Sequence, residues 1–278
     1  MSTTSLKWEA SAFLGFFERQ KNLYRRYWMW EVVWFAYSVV SVLSIGYLAS
    51  GLQQAGSQSS AQNIAQVQLY LLVGSLLWSY LSLVFFEVSF AVSWERWEGT
   101  IEYTFMAPVH RVTHLLGVTC FAIVYGLLRT ALILVAVVMA FHLDLSHADL
   151  LSAAVVLLAA TFPLIGLGIF TAILPLLSPE KGEQMSVAVQ GILLLVSGVY
   201  YPLTVLPLVF QAIGRLSPLT YTLSSIRAAL LQQSSLGQQL PTVGLLLLMG
   251  AFLIGSGLFA FSRAERRAKR LGLLKRNG

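Results

Sequence analysis

The chain has 278 residues, 57% hydrophobic and 11% charged, with a mean hydropathy of +0.73 and a formal net charge of +6. Soluble domains carry roughly 25% charged residues, so this composition excludes a water-soluble globular fold and places most of the chain in lipid. The single cysteine, Cys120, excludes an intramolecular disulfide, and its apolar surroundings give no sign of a metal centre.

Residues 1–27 precede the first apolar run of spanning length and do not read as a secretory signal, in which about 7–15 apolar residues follow a short basic stretch. Trp8, Phe13, Phe16, Phe17, Tyr24 and Tyr27 share one helical side, and Glu18, Lys21, Asn22 and Arg25 lie on the other. This pattern predicts a cytoplasmic amphipathic helix lying flat in the membrane interface.

Six runs then reach the roughly 20 residues needed to cross a hydrocarbon core. They are Trp28–Ala49, Val67–Trp94, Leu115–Phe141, Leu150–Leu177, Val187–Leu206 and Val243–Phe261, within a transmembrane domain of residues 28–262. Backbone groups in lipid must be hydrogen-bonded within the segment, and these runs are too long for barrel strands. The predicted fold is therefore an all-α polytopic membrane protein with six transmembrane helices.

Between the first two runs, Gly51–Gln66 is uncharged and rich in Gly, Ser and Gln, which predicts a flexible outside loop. After the second comes Trp94–Arg111, WERWEGTIEYTFMAPVHR, too charged to sit in lipid. Trp97, Ile101, Phe105 and Pro108 recur about once per helical turn, and Arg96, Glu98 and Glu102 fall largely elsewhere. The expectation is a short helix over residues 95–112, riding on the membrane face and tied at both ends to spanning helices.

Two charges lie inside the runs, Glu87 in the second and Arg129 in the third. Charge at such depth is costly enough to need a partner or a wet cavity. A structural pair between the two is favoured, and contact with a transported headgroup is the alternative. His110 and His114 stand four apart, a spacing that suits a metal on one helical face, but no third ligand accompanies them and an interfacial pair beside Arg111 is preferred. Pro163 and Pro175 are expected to kink the fourth run, and Gly166 and Gly168 to admit a close neighbour. Glu180, Lys181 and Glu183 form a short inner turn.

The stretch Ser197–Pro241 carries Pro202, Pro207 and Pro218, then a moderately apolar helical segment, Leu219–Leu231, that includes Arg227. It is too polar for a comfortable span and too apolar for a free loop, which predicts a re-entrant hairpin over residues 199–232. A seventh crossing is the alternative, disfavoured because it would put the basic tail outside. That tail, residues 263–278, holds seven of the 18 Lys and Arg and reads as a topology anchor at anionic lipid. It lacks a folded basic surface or stacking aromatics, so no nucleic-acid partner is expected. With both termini cytoplasmic, 15 basic residues fall inside, Arg215 and Arg227 fall outside, and Arg129 lies within a span.

Two stretches together resemble the permease subunits of ABC-2-type transporters. Glu95, Arg96, Gly99, Thr100, Glu102 and Pro108 match an E-R-E-x-G-T-x-E motif with a later Pro. Tyr201, Pro202, Leu206 and Pro207 match Y-P-x-x-x-L-P, and Pro218, Leu219, Thr220, Tyr221 and Arg227 match N-P-L-T-Y with a following Arg. Trp97 replaces the usual acidic residue and Ser217 the usual Asn.

The resemblance implies a type V exporter-like subunit in the inner (plasma) membrane. It further implies an N-terminal interfacial helix, a cytoplasmic coupling helix after the second span and extracellular re-entrant helices before the last. Coupling would run through Glu95, Arg96, Glu98, Gly99, Thr100, Glu102 and Pro108, and the outer motif through Tyr201, Pro202, Pro207, Pro218, Tyr221 and Arg227. The implied partners are an ATP-binding cassette ATPase subunit and a second permease subunit, identical or paralogous. No G-x-x-x-x-G-K-[ST] phosphate loop occurs, so no cofactor is expected on this chain, with ATP and Mg bound by the partner. The mostly apolar spans suit a hydrophobic or amphipathic substrate: a drug, lipid or lipid-linked molecule. An ion-coupled secondary transporter and an integral membrane enzyme are the competing classes. The first would show midplane acids and an internal repeat, the second polar side chains converging at one depth.

Overall fold

The computed structural model describes residues 3–54, 61–143, 148–231 and 234–274, and all their regular structure is helical. In chain order the helices are α1 (Thr3–Arg26), α2 (Trp28–Gln54), α3 (Ala61–Trp97), α4 (Ile101–Met106), α5 (Arg111–Phe141), α6 (Leu150–Leu177), α7 (Gly182–Val196), α8 (Leu208–Leu216), α9 (Pro218–Leu231) and α10 (Leu236–Arg270). A 3-10 turn, Leu203–Val205, precedes α8. The end of the bundle that holds α1 and the last turns of α10 is called lower below. Part of the predicted outside loop, residues 55–60, lies outside the described residues, as do the last four residues of the tail.

Five helices carry apolar stretches long enough to span: Trp28–Leu48, Gln66–Trp97, Arg111–Phe141, Leu150–Leu177 and Leu236–Arg270. The fifth predicted crossing, Val187–Leu206, is corrected by α7, which starts at Gly182 and has only 15 residues. At roughly 1.5 Å per residue it is about 22 Å long, against about 30 Å of hydrocarbon. It stops at Val196 because Gly198 takes a positive φ of 72° and Pro202 follows. The all-α polytopic architecture stands, with one crossing shortened.

The buried centre is α6, flanked by α10, α3, α9 and α7. Small residues set these approaches, as is usual where packing rather than the hydrophobic effect joins helices in lipid. A Cβ on Gly250 of α10 would lie 3.0 Å from the Pro163 backbone nitrogen, and one on Gly168 of α6 only 2.7 Å from the Val88 Cβ of α3. Gly166 likewise meets the α10 backbone at Leu253 and Ile254. Pro163 and Pro175 both lie inside a continuous α6. The upper core joins Val73, Leu77, Tyr80, Val156, Leu164 and Leu223, and the lower core joins Val88, Ile101, Phe105, Leu115, Ile169 and Phe261.

Helix α1 turns into α2 at Tyr27, whose amide still bonds the Leu23 carbonyl at 2.9 Å. Its aromatic face packs on α5 rather than lying wholly in lipid: Phe16 on His114, Phe17 and Tyr24 on Phe121, and Tyr24 on Tyr125, with centroids 4.6–5.6 Å apart. Gly117 of α5 leaves room for Phe16. Trp8 and Tyr27, expected on the same face, are exposed. The helix of the last span continues into the basic tail, since α10 runs unbroken to Arg270.

Candidate functional site

The elbow between α3 and α5 is built by a helix stop. Gly99, at φ 73°, allows a turn in which the Thr100 amide reaches the Glu95 carbonyl at 2.8 Å and the Gly99 amide reaches Arg96 at 3.0 Å. This is the six-to-one closure that a glycine after a helix permits. It also resets the helical phase, which corrects the predicted apolar stripe. Ile101 and Phe105 are buried, whereas Trp97 is 72% exposed and Pro108 is exposed.

Glu95 sits at the centre, 1% exposed. Its carboxylate accepts from Arg19 of α1, from the Thr100 hydroxyl and from Thr104 at 2.8 Å, and His114 Nε2 of α5 lies 3.2 Å away. Arg19 also donates to Thr100 at 3.1 Å. Arg96, equally buried, turns the other way and donates to the Leu176 carbonyl of α6 at 3.3 Å. Arg111 closes the far side of α4, donating to the Thr104 and Phe105 carbonyls at 2.6 Å each and to Glu265 of α10 at 3.0 Å. Trp97 Nε1 reaches Glu183 in the first turn of α7 at 3.0 Å.

Helices α1, α6 and α10 thus hold the elbow from within, while Glu98, Glu102, Tyr103, Met106 and Pro108 remain on the outside. The buried charges of the elbow are turned inward, Glu95 toward α1 and α5 and Arg96 toward α6. Arg19, Arg111 and Glu265 are essential to it and were not singled out by sequence. Their one signal was the excess of charge at the ends of amphipathic helices.

The predicted Glu87–Arg129 pair does not form. Glu87 accepts from Tyr24 and, at 3.3 Å, from Gln20, both on α1. Arg129 donates instead to the Trp34 carbonyl at 2.7 Å and the Ser38 hydroxyl at 2.6 Å on α2. Their own helices, α3 and α5, do adjoin, but each side chain finds nearer partners on a third helix. His110 and His114 also diverge, His110 lying 4.0 Å from Glu9 and His114 beside Glu95.

At the upper end, each proline starts an element: Pro202 precedes the 3-10 turn, Pro207 precedes α8 and Pro218 opens α9. Arg227, 8% exposed, donates to the carbonyls of Gly198 at 2.9 Å and Val199 at 2.6 Å and stacks 3.5 Å over Tyr70 of α3. Tyr201 and Tyr221 lock the turns by bonding the Leu195 and Arg215 carbonyls at 2.8 Å. At the start of α6, the Ser152 hydroxyl and then its amide hold the Asp149 carboxyl below its usual range, fixing an N-cap.

These two motif regions sit at opposite ends of one helical bundle, and residues 12–231 match the family model described as ABC-2 type transporter. The chain belongs to that family. No curated protein matches it. As an ABC-2 permease it is a membrane-embedded subunit of an ABC transporter, held in the bilayer by its apolar helices. The elbow and the Arg227 hairpin are the two places where this permease fixes its irregular backbone with buried charge.

Proposed function

We propose that this permease is the transmembrane half of an ATP-driven exporter, moved by a separate ATP-binding cassette subunit that docks on the exposed side of the α3–α4–α5 elbow. The observation that carries this reading is the division of that elbow into two faces. Glu95, Arg96 and Arg111 bind it to α1, α6 and α10, and Glu98, Glu102, Tyr103 and Met106 are offered outward. Closure of two ATPase subunits would push α4, and the rigid elbow would pass the motion to α3, α5, α6 and α10. Glu95, Arg96 and Thr100 then act by positioning the elbow, and Glu98 and Glu102 by touching the motor.

Both termini and the elbow are cytoplasmic in this reading, in the plasma (inner) membrane, with α8 and α9 at the outer face. A second permease copy or paralogue completes the path. The span in α10 supports this, since only 17% of it is buried within one subunit. The substrate is hydrophobic or amphipathic, because few charges line the spans.

The test is co-purification with candidate ATP-binding subunits, followed by ATP hydrolysis with and without Glu102→Arg and Tyr103→Ala. The expected result is a stable complex whose hydrolysis responds to transport substrates, and loss of that response in both variants with unchanged folding. A chain that recruits no ATPase, or variants that recruit and respond like the parent, would overturn the reading.

A further inference from the structure

Arg129 presents an unusual balance of donors for a residue in a membrane span. It lies on α5 opposite Trp34 and Ser38, which are 6 and 10 residues into α2, or roughly 9 to 15 Å above the lower end of that helix. A guanidinium has five N–H donors. Nη2 uses its two on the Trp34 carbonyl and the Ser38 hydroxyl. Nε is buried with no acceptor, and Nη1 has none among the described residues.

No carboxylate lies within 4.0 Å of Arg129 among the described residues. The two acids nearest in the bundle are already engaged by neutral donors. Glu31 accepts from Tyr125 at 2.7 Å, and Glu87 accepts from Tyr24 and Gln20. A cation at this depth without an anion is expensive, and such residues mark substrate paths or counter-ions. The seam around it is open to the membrane side and apolar. Trp30, Trp34 and Tyr37 of α2 and Leu128 and Leu132 of α5 are 46–63% exposed.

We propose that the α2–α5 seam is a binding site for an anionic amphiphile, with Arg129 receiving its phosphate, carboxylate or sulfate group and the exposed aromatic and leucine side chains receiving its hydrophobic body. The site rests on the permease reading above and narrows the substrate class from amphipathic to anionic amphipathic. Guanidinium suits this task because it stays charged and matches the planar or trigonal oxygens of such groups. The partial tie to α2 orients Arg129 and leaves its remaining donors for the ligand.

The test uses the purified full-length chain in nanodiscs of phosphatidylcholine, without an ATPase, so that its outcome is independent of motor recruitment. Binding of dodecyl phosphate is compared with dodecyltrimethylammonium, dodecanol and inorganic phosphate. Dodecyl phosphate is expected to bind at least about tenfold tighter than the other two amphiphiles, a difference in keeping with a charge-assisted hydrogen bond. Inorganic phosphate at millimolar concentration is expected not to compete. Arg129→Gln should lose the preference, and Arg129→Lys should keep most of it.

Equal binding of the phosphate and trimethylammonium amphiphiles by the parent chain would overturn the proposal. So would competition by inorganic phosphate, or an undiminished preference in a folded Arg129→Gln chain. If Arg129→Gln fails to fold, the parent's preference together with Arg129→Lys decides.

Discussion

Arg111 and Glu265, 154 positions apart, meet at 3.0 Å beneath α4, and the same guanidinium holds the Thr104 and Phe105 carbonyls in the last turn of that helix. The end of α10 is thereby wired to the elbow. Lys269 also contacts Glu265, at 2.9 Å, but is itself 38% exposed.

This geometry ranks two variants. Glu265→Ala leaves a half-buried Arg111 without its anion and should cost about 1–3 kcal/mol, as for hydrogen bonds to charged groups. Lys269→Ala removes a solvent-screened partner and should cost under about 1 kcal/mol. Thermal unfolding in detergent measures both. Equal losses would mean that Glu265 matters to Lys269 and not to α4.

Arg19 and Glu95 join α1 to the end of α3, with Glu95 almost wholly buried and Arg19 26% exposed. Removing one partner of such a pair strands a charge, at about 3–5 kcal/mol when both are buried and less here because Arg19 is wetted. Arg19→Met alone should therefore destabilise more than the pair Arg19→Met with Glu95→Gln adds to it. A double-mutant cycle read by unfolding should give a coupling of at least about 1 kcal/mol. A coupling near zero would show that Thr100, Thr104 and His114 hold Glu95 without α1.

The hydrophobic runs announced α2, α3, α5, α6 and α10 because length and apolarity are local properties that lipid enforces. The sharp ends of the elbow were also local, since Gly99 can occupy a left-handed turn and Pro108 cannot continue a helix. What the sequence left hidden is non-local. Nothing in residues 94–111 says that Arg19 will reach Glu95 or that Glu265 will meet Arg111. The amphipathic reading of α1 was silent on Gln20, which is buried against Glu87 because α1 packs on protein as well as on the interface. The fifth run looked continuous through Leu206 because its composition stays apolar where Gly198 has already turned the backbone.

Gly74 of α3 shows how tightly the upper hairpin is seated. A Cβ there would run into the Val199 carbonyl and stand 2.6 Å from Arg227 Nη2. The first obstacle is backbone and cannot swing aside, so Gly74→Ala should cost about 1–3 kcal/mol by overpacking. Gly244→Ala on α10, where nothing lies within 4 Å, should be neutral or slightly stabilising through helix propensity. Comparing the two melting temperatures tests the seat of Arg227; a Gly74→Ala chain as stable as Gly244→Ala would show that the hairpin is not packed on α3.

Glu9 fastens the start of α1 to α5, accepting from the Thr113 hydroxyl and from the His110 amide at 3.3 Å. The Thr113 bond, aided by the amide and charge of His110 and opposed by partial burial, holds this carboxyl below its usual 4.5. A depressed carboxyl pKa gives stability that is complete above the unfolded value and fades as pH falls through the folded one. The α1–α5 contact should thus be constant from neutral pH down to about 4.5 and loosen below it. In Glu9→Gln the loosening should be present already at pH 7 and change little on acidification. Hydrogen exchange of α1 amides, corrected for intrinsic rates across pH, reads this directly. Parallel pH profiles for the parent and Glu9→Gln would assign the acid response to another carboxylate and leave Glu9 a surface residue.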